Sequence, residues 1–248
     1  MLPEGRAAGS RMHMLDWLDG GSFIQSINEM LRPTEFFVPQ SGRRMPKGWQ
    51  DTDEARLGRE CESLIDDTLN ATILNWWLVN VSGANVPNWD LACAALYRGG
   101  KQALVLAEAK AHVKEFTESA GGHRSGNSQN QERIAGAIEE ARVALAHHAD
   151  GVGISSTAWY QFSNRVAFAW KVASQGVPTA LIYLGFTGDK GISNTELRDH
   201  DHWRETVLSS TREIFPSSLW ERPIDCNGTP LWFLIRSWRC ARQSYPKP

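Results

Sequence analysis

Apolar positions in this chain recur in two ways, every three or four residues or in short unbroken runs, and the two alternate along most of its length. Leu57, Cys61, Leu64, Ile65 and Thr68 fall on one face of a helix beginning near Glu54, with charged residues around the rest. The following ILNWWLVNV suits either the end of that helix or a first strand. Two strand-like runs come next, NWDLACAAL and KQALVLAEAKAHV, with RGG between them as a turn. A polar loop, ESAGGHRSGNSQ, leads into a long helix. Ser128 and Gln131 have capping-box spacing at its start, and Ile134, Ile138, Ala141 and Leu145 form its buried stripe.

A second helix is expected from about Trp159 to Ser174, burying Phe162, Val166, Ala169 and Ala173 and capped by Gly176. The run TALIYLGF is apolar nearly throughout, as a strand covered on both faces should be. A capped helix around His202 to Ile214 and a last strand, PLWFLIRSW, complete the chain. Ahead of all this, residues 1–53 form a lead-in: an amphipathic helix around Met14 to Leu31, then a loop rich in Pro, Gly and Arg. Residues 54–248 make the main domain. The order of elements predicts an α/β domain with a mixed sheet, with the lead-in packed as part of one unit.

Composition narrows the class without choosing a function. With 248 residues, 42% of them hydrophobic and 22% charged, the chain is long enough to bury a large core. A net charge of -2 excludes a globally basic nucleic-acid coat, yet leaves room for a local basic groove. No apolar run reaches the roughly 18 residues that span a bilayer, and the first residues lack a signal-peptide core, so no membrane partner and a cytoplasmic location are expected. The four cysteines form no CxxC pair, which speaks against a zinc knuckle or a disulfide framework and suits a reducing compartment.

The chemistry concentrates at one strand end. Side chains alternate along a strand, so Glu108, Lys110 and His112 share a face while Ala107, Ala109 and Ala111 take the other. Charged groups appearing abruptly after the apolar ALVLA are costly to bury unless they bind something. Asp90 and Glu108 offer hard oxygen ligands suited to Mg²⁺, with Mn²⁺ as a substitute, and Lys110 suits a role beside an attacking water and a pentavalent phosphorus. The competing reading makes Asp90 a turn residue, and Glu108 and Lys110 a structural ion pair.

Asp90, 17 intervening residues and then Glu108-Ala109-Lys110 resemble the signature of the PD-(D/E)XK nuclease superfamily. That resemblance implies a restriction-endonuclease-like core of order α-β-β-β-α-β, here from about Glu54 to Phe186, with N- and C-terminal additions. It also implies a Mg²⁺-dependent phosphodiesterase acting on nucleic acid; DNA is the first expectation, RNA is an alternative that nothing in the sequence separates from it, and a homodimer or an accessory protein partner is expected besides. The proline of the signature stands at Pro87, displaced from the aspartate by Asn88 and Trp89. Members of the superfamily often add a glutamate from the first core helix, which corresponds to Glu60 as a third metal ligand. Some add a glutamine from a later helix, which corresponds to Gln161. The alternative is a protein of this fold that has lost catalysis and binds nucleic acid or another protein.

Other residues complete the candidate set. Arg43, Arg44 and Lys47 form either a solvated linker or a phosphate-contacting arm, and Arg124 in the glycine-rich loop is a further phosphate contact. His112 is a weaker candidate for substrate contact. The run Asp199-His200-Asp201-His202 looks metal-like, with His147 and His148 as extra ligands, but an acidic helix start explains its aspartates equally well. Most tryptophans belong to apolar stripes. Trp49 and Trp89 lie where a base could stack.

Overall fold

The computed structural model describes residues 8–82, 84–118, 121–122, 127–191 and 195–244. Helices α1 (Gly9–Asp19) and α2 (Phe23–Met30) lead to the two-residue strand β1 (Arg44–Met45) and to α3 (Asp67–Trp77). The hairpin β2 (Leu91–Tyr97) and β3 (Lys101–Lys110) follows, then α4 (Val113–Thr117), α5 (Ser128–Ala146), α6 (Tyr160–Ser174) and β4 (Thr179–Thr187). The chain ends with α7 (His200–Thr211), β5 (Pro223–Cys226) and β6 (Thr229–Arg239). The fold is mixed α/β, built on a six-stranded open sheet of order β1-β2-β3-β4-β6-β5. Strands β3, β4 and β6 run parallel, and β1–β2, β2–β3 and β5–β6 are antiparallel.

Two apolar layers cover the sheet. Leu104, Leu106, Leu181, Phe233 and Ile235 face α3, α5, α6 and α7, while Val105, Ala107, Ile182 and Leu234 face α1 and α2. Every residue of β4 is buried, as its unbroken apolar run demands in the middle of a two-sided sheet. Each fully buried Leu, Ile or Phe contributes roughly 1.5–3 kcal/mol, so these layers dominate the stability of the unit. The N-terminal helices therefore supply one of the layers, through Met14, Trp17, Phe23 and Ile27.

Four expectations are corrected. No helix runs from Glu54; residues 54–66 are turns and extended chain, whose Leu57, Cys61, Leu64 and Ile65 still reach the core. The helix begins at Asp67, where the Asp66 carboxylate accepts from Leu69 N at 2.8 Å, and it runs through ILNWW to Trp77. Residues 14–31 form two helices rather than one, because the chain turns at Gly20-Gly21 between α1 and α2. The cap of α5 is Asn127, one residue before Ser128, and its side chain accepts from Asn130 N at 3.1 Å. Two strands, β2 and β3, lie between α3 and the next helices, where the restriction-endonuclease-like order has three.

Candidate active site

The antiparallel β2 begins where the parallel β3 ends, so Asp90, just before β2, comes beside the last residues of β3. Leu91 is in register with Ala107, and Asp90 Oδ2 accepts from Ala109 N at 2.7 Å. The alternation of β3 places Glu108 and Lys110 on the α6 side. Both are buried, with 2% and 4% of their surface exposed. Lys110 Nζ donates to Glu108 Oε1 at 2.5 Å and to Gln161 Oε1 at 3.2 Å. Asp90, Glu108, Lys110 and Gln161 thus converge at one sheet edge, and Asp90 and Gln161 keep its outer side partly open to solvent.

A fifth member went unread in the sequence. Arg165, 6% exposed, donates from Nε to Glu108 Oε2 at 2.5 Å and from Nη1 to Asn164 Oδ1 at 2.7 Å. Its guanidinium lies 4.9 Å from the centre of the Trp89 ring. The signal was available: Arg165 sits three residues after Phe162 and four before Ala169, inside the buried stripe of α6, where a charge needs a partner. Trp89 is fully buried against Arg165 and Phe168, so it does not stack a base.

Charge in this cluster is unevenly shared. Burial pushes the Asp90 carboxyl up to about 7, helped by the nearby Glu108 carboxylate and opposed by Lys110. Burial also works against ionised Glu108, but Arg165 and Lys110 together outweigh it and hold that carboxyl below its ordinary range. Lys110 is raised above the ordinary lysine value, because Glu108 and Asp90 overcome the effect of burial. At neutral pH the site therefore holds an ionised Glu108, a cationic Lys110 and an Asp90 near half-protonation.

The donor set suits Mg²⁺ in part. Asp90 keeps Oδ1 beyond its bond to Ala109, and hard oxygens with retained waters are what this ion prefers. Both oxygens of Glu108, however, are taken by cations, so Lys110 must release Oε1 for that oxygen to serve a metal. Among the described residues no three His, Cys, Asp or Glu side chains converge as a ready metal site.

Several predicted members lie elsewhere. Glu60 is on the exposed turn before α3 rather than on a helix; it pairs with Arg56 at 3.3 Å, and its side chain is 65% exposed. The carboxylate that approaches Asp90 from this segment is Glu54, which accepts from Asn88 Nδ2 at 3.1 Å. His112 caps α4, its Nδ1 accepting from Glu115 N at 3.2 Å, so the ring is committed to the backbone. Lys47 pairs with Asp51 at 2.8 Å and Glu62 at 2.9 Å, Arg44 lies over the Phe23 ring, and Arg43 donates to the Glu62 carbonyl at 3.4 Å. Of the three, Lys47 is the one held by carboxylates. Arg124 lies outside the described residues. Trp49 is held by Asp16 Oδ1 at 2.8 Å beneath Arg242. In the Asp-His-Asp-His run, Asp199 caps α7, His202 Nδ1 accepts from Arg198 N, and His200 meets Ser237. Those contacts explain the run without a metal.

Compared with protein-family models, with curated proteins and with solved structures, the chain matches none. Among the described residues no helix is long and apolar enough to cross a membrane.

Proposed function

We propose that this protein is a metal-dependent phosphodiesterase acting on nucleic acid, with DNA put before RNA, on a variant of the restriction-endonuclease-like core that has two strands instead of three between α3 and the following helices. The observation that supports the reading is the meeting of Asp90, Glu108, Lys110 and Gln161 at the edge where β2 starts and β3 ends. Asp90 and Glu108 would hold Mg²⁺, or Mn²⁺ in its place, and the bound ion would polarise a water and a phosphoryl oxygen. Lys110, once released from Glu108 Oε1, would orient or activate the water and offset negative charge on phosphorus. Gln161 steadies the ammonium group through its carbonyl oxygen. Arg165 keeps Glu108 ionised and fixed while Lys110 changes partners.

The second reading is a nuclease-like protein without catalysis that binds nucleic acid or a protein partner. The double pairing of Glu108 favours it, because a carboxylate saturated by two cations is also a sound structural centre. Incubation with plasmid DNA and with RNA separates the two. A nuclease cuts one of them with Mg²⁺, stops with EDTA, and loses at least about a hundredfold in rate as Lys110→Met. No cleavage of either, or a Lys110→Met variant that cuts as fast as wild type, rejects the enzyme reading.

A further inference from the structure

The site needs a surface that grips a polyanion, and in the arm at Arg43–Lys47 the Lys47 charge is already met by Asp51 and Glu62. A different basic surface lies at the same end of the sheet. Lys110, Gly185 and Ser237 are in register across β3, β4 and β6, so the ends of these strands share one edge. Beyond Gly185, a cavity of about 470 Å³ opens between the ends of β4 and β6 and the start of α7. Lys190, Arg198 and Arg239 line it with exposed side chains.

Among the described residues none of these three cations is held in an ion pair, unlike Lys47, Arg56, Arg98, Arg142 and Arg242. The cavity has two carboxylates of its own, Glu196 and Asp199, and Asp199 Oδ1 accepts from His202 N as the cap of α7. Between the cavity and Lys110 stands α4, packed on α7 through Phe116 and Trp203. It carries Lys114, exposed and likewise outside any ion pair among the described residues. The three cations outnumber the two carboxylates, so the cavity is locally positive on a chain of net charge -2 and attracts an external anion.

We infer that Lys190, Arg198 and Arg239 form a phosphate-binding cradle, with Lys114 between it and the site, that holds the backbone of the nucleic-acid strand whose scissile phosphate lies at Lys110. This inference rests on the proposed function. Neighbouring strands lie about 4.8 Å apart, so the β6 end is roughly 10 Å from Lys110 along the edge. One strand of B-form duplex presents about three phosphates over that length. The cradle reads phosphates rather than bases, so it contributes affinity and register but no sequence preference.

The test is fluorescence anisotropy with labelled single-stranded DNA, duplex DNA and RNA of one sequence, in EDTA over a range of salt. It compares wild type with K190E/R198E/R239E, whose substituted side chains are exposed and leave the core intact; equal melting temperatures confirm it. The expected result is a Kd at least about tenfold higher near 0.1 M salt, and a slope of log affinity against log salt smaller by about two to three. A parallel R43E/K47E variant should change Kd less than about threefold. Equal affinity and slope for the triple variant and wild type, or no wild-type binding to any oligonucleotide at low salt, overturns the cradle. Adding Mg²⁺ to the same samples separates the two ideas. Cleavage with an unaltered KM in the triple variant rejects the cradle and keeps the nuclease. Cradle-dependent binding without cleavage rejects the nuclease and keeps the cradle.

Discussion

Two buried ionic clusters sit near the C-terminal ends of the parallel strands, one on each face of the sheet, and they differ in how completely they are satisfied. On the α1 side, Asp189 accepts from Ser244 N and Gly191 N through Oδ1, and from Ser244 Oγ through Oδ2, which also meets His13 Nε2 at 2.6 Å. Burial opposes its charge, but these bonds prevail and hold the carboxyl below its ordinary value. On the α6 side, Glu108 is equally well paired, but Asp90 beside it is pushed up to about 7 and keeps a partly open edge. The first cluster ties the N-terminal helix to the C-terminal segment. The second holds an unfavourable carboxylate that is partly exposed at the sheet edge. A buried carboxylate with all its hydrogen bonds made, such as Asp189, thus carries no functional reading by itself, whereas an under-satisfied one beside solvent, such as Asp90, marks a candidate site.

The sharpest way to break this contrast is to empty the second cluster. Glu108→Gln leaves Lys110 and Arg165 buried without a carboxylate, and should lower unfolding free energy by about 3–5 kcal/mol in a urea titration. A loss below about 1 kcal/mol would mean that water or Asp90 compensates the two cations. Asp189→Asn should cost about 1–3 kcal/mol through its hydrogen bonds. It should leave metal binding and cleavage within twofold of wild type, and any larger effect on metal would join two clusters that are here kept apart.

Asp90→Asn should do the opposite to stability. The folded carboxyl titrates near 7 against an ordinary 3.8, so both states are protonated below about pH 4 and the residue costs nothing there. Between those values the unfolded chain releases its proton while the folded chain keeps it, so stability falls as pH rises and levels off above about 7. Removing the charge should therefore stabilise the fold by about 2–4 kcal/mol at pH 8, and by nearly nothing at pH 4. Melting curves at both values check this, and a pH-independent gain would rule out the shifted carboxyl as its source. The smallest effect belongs to Glu60→Gln, expected to leave stability within about 0.5 kcal/mol and turnover within twofold, since its partner Arg56 is also near the surface.

Much of this was legible from pattern alone. The runs that became β2, β3, β4 and β6, and the stripes of α5 and α6, are long and strongly periodic, and burial enforces their period. Asp90, Glu108, Lys110 and Gln161 followed from strand alternation and from likeness to a short signature. What failed has physical reasons. Leu57, Cys61, Leu64 and Ile65 are spaced like a helix face, but they are apolar because an extended segment lies over the core, and Glu60 was misplaced with them. The Asp66 cap that starts α3 was passed over. Strands β1 and β5, of two and four residues, are too short to carry a period. Arg165 was overlooked because Phe162, Val166 and Ala169 already explained that face, although a guanidinium among them needed a buried carboxylate.

The proposed function requires Asp90 and Glu108 together to hold a divalent cation at the end of β3. Titration of the purified protein with Mn²⁺, followed by electron paramagnetic resonance, measures this without substrate or turnover. One bound ion per chain, displaced by Mg²⁺, is expected. Asp90→Asn, which keeps the bond to Ala109 N, should weaken that binding at least about tenfold, while Asp189→Asn and Glu60→Gln leave it unchanged. No bound Mn²⁺ in the wild type at millimolar concentration, or binding that Asp90→Asn leaves intact, would contradict it.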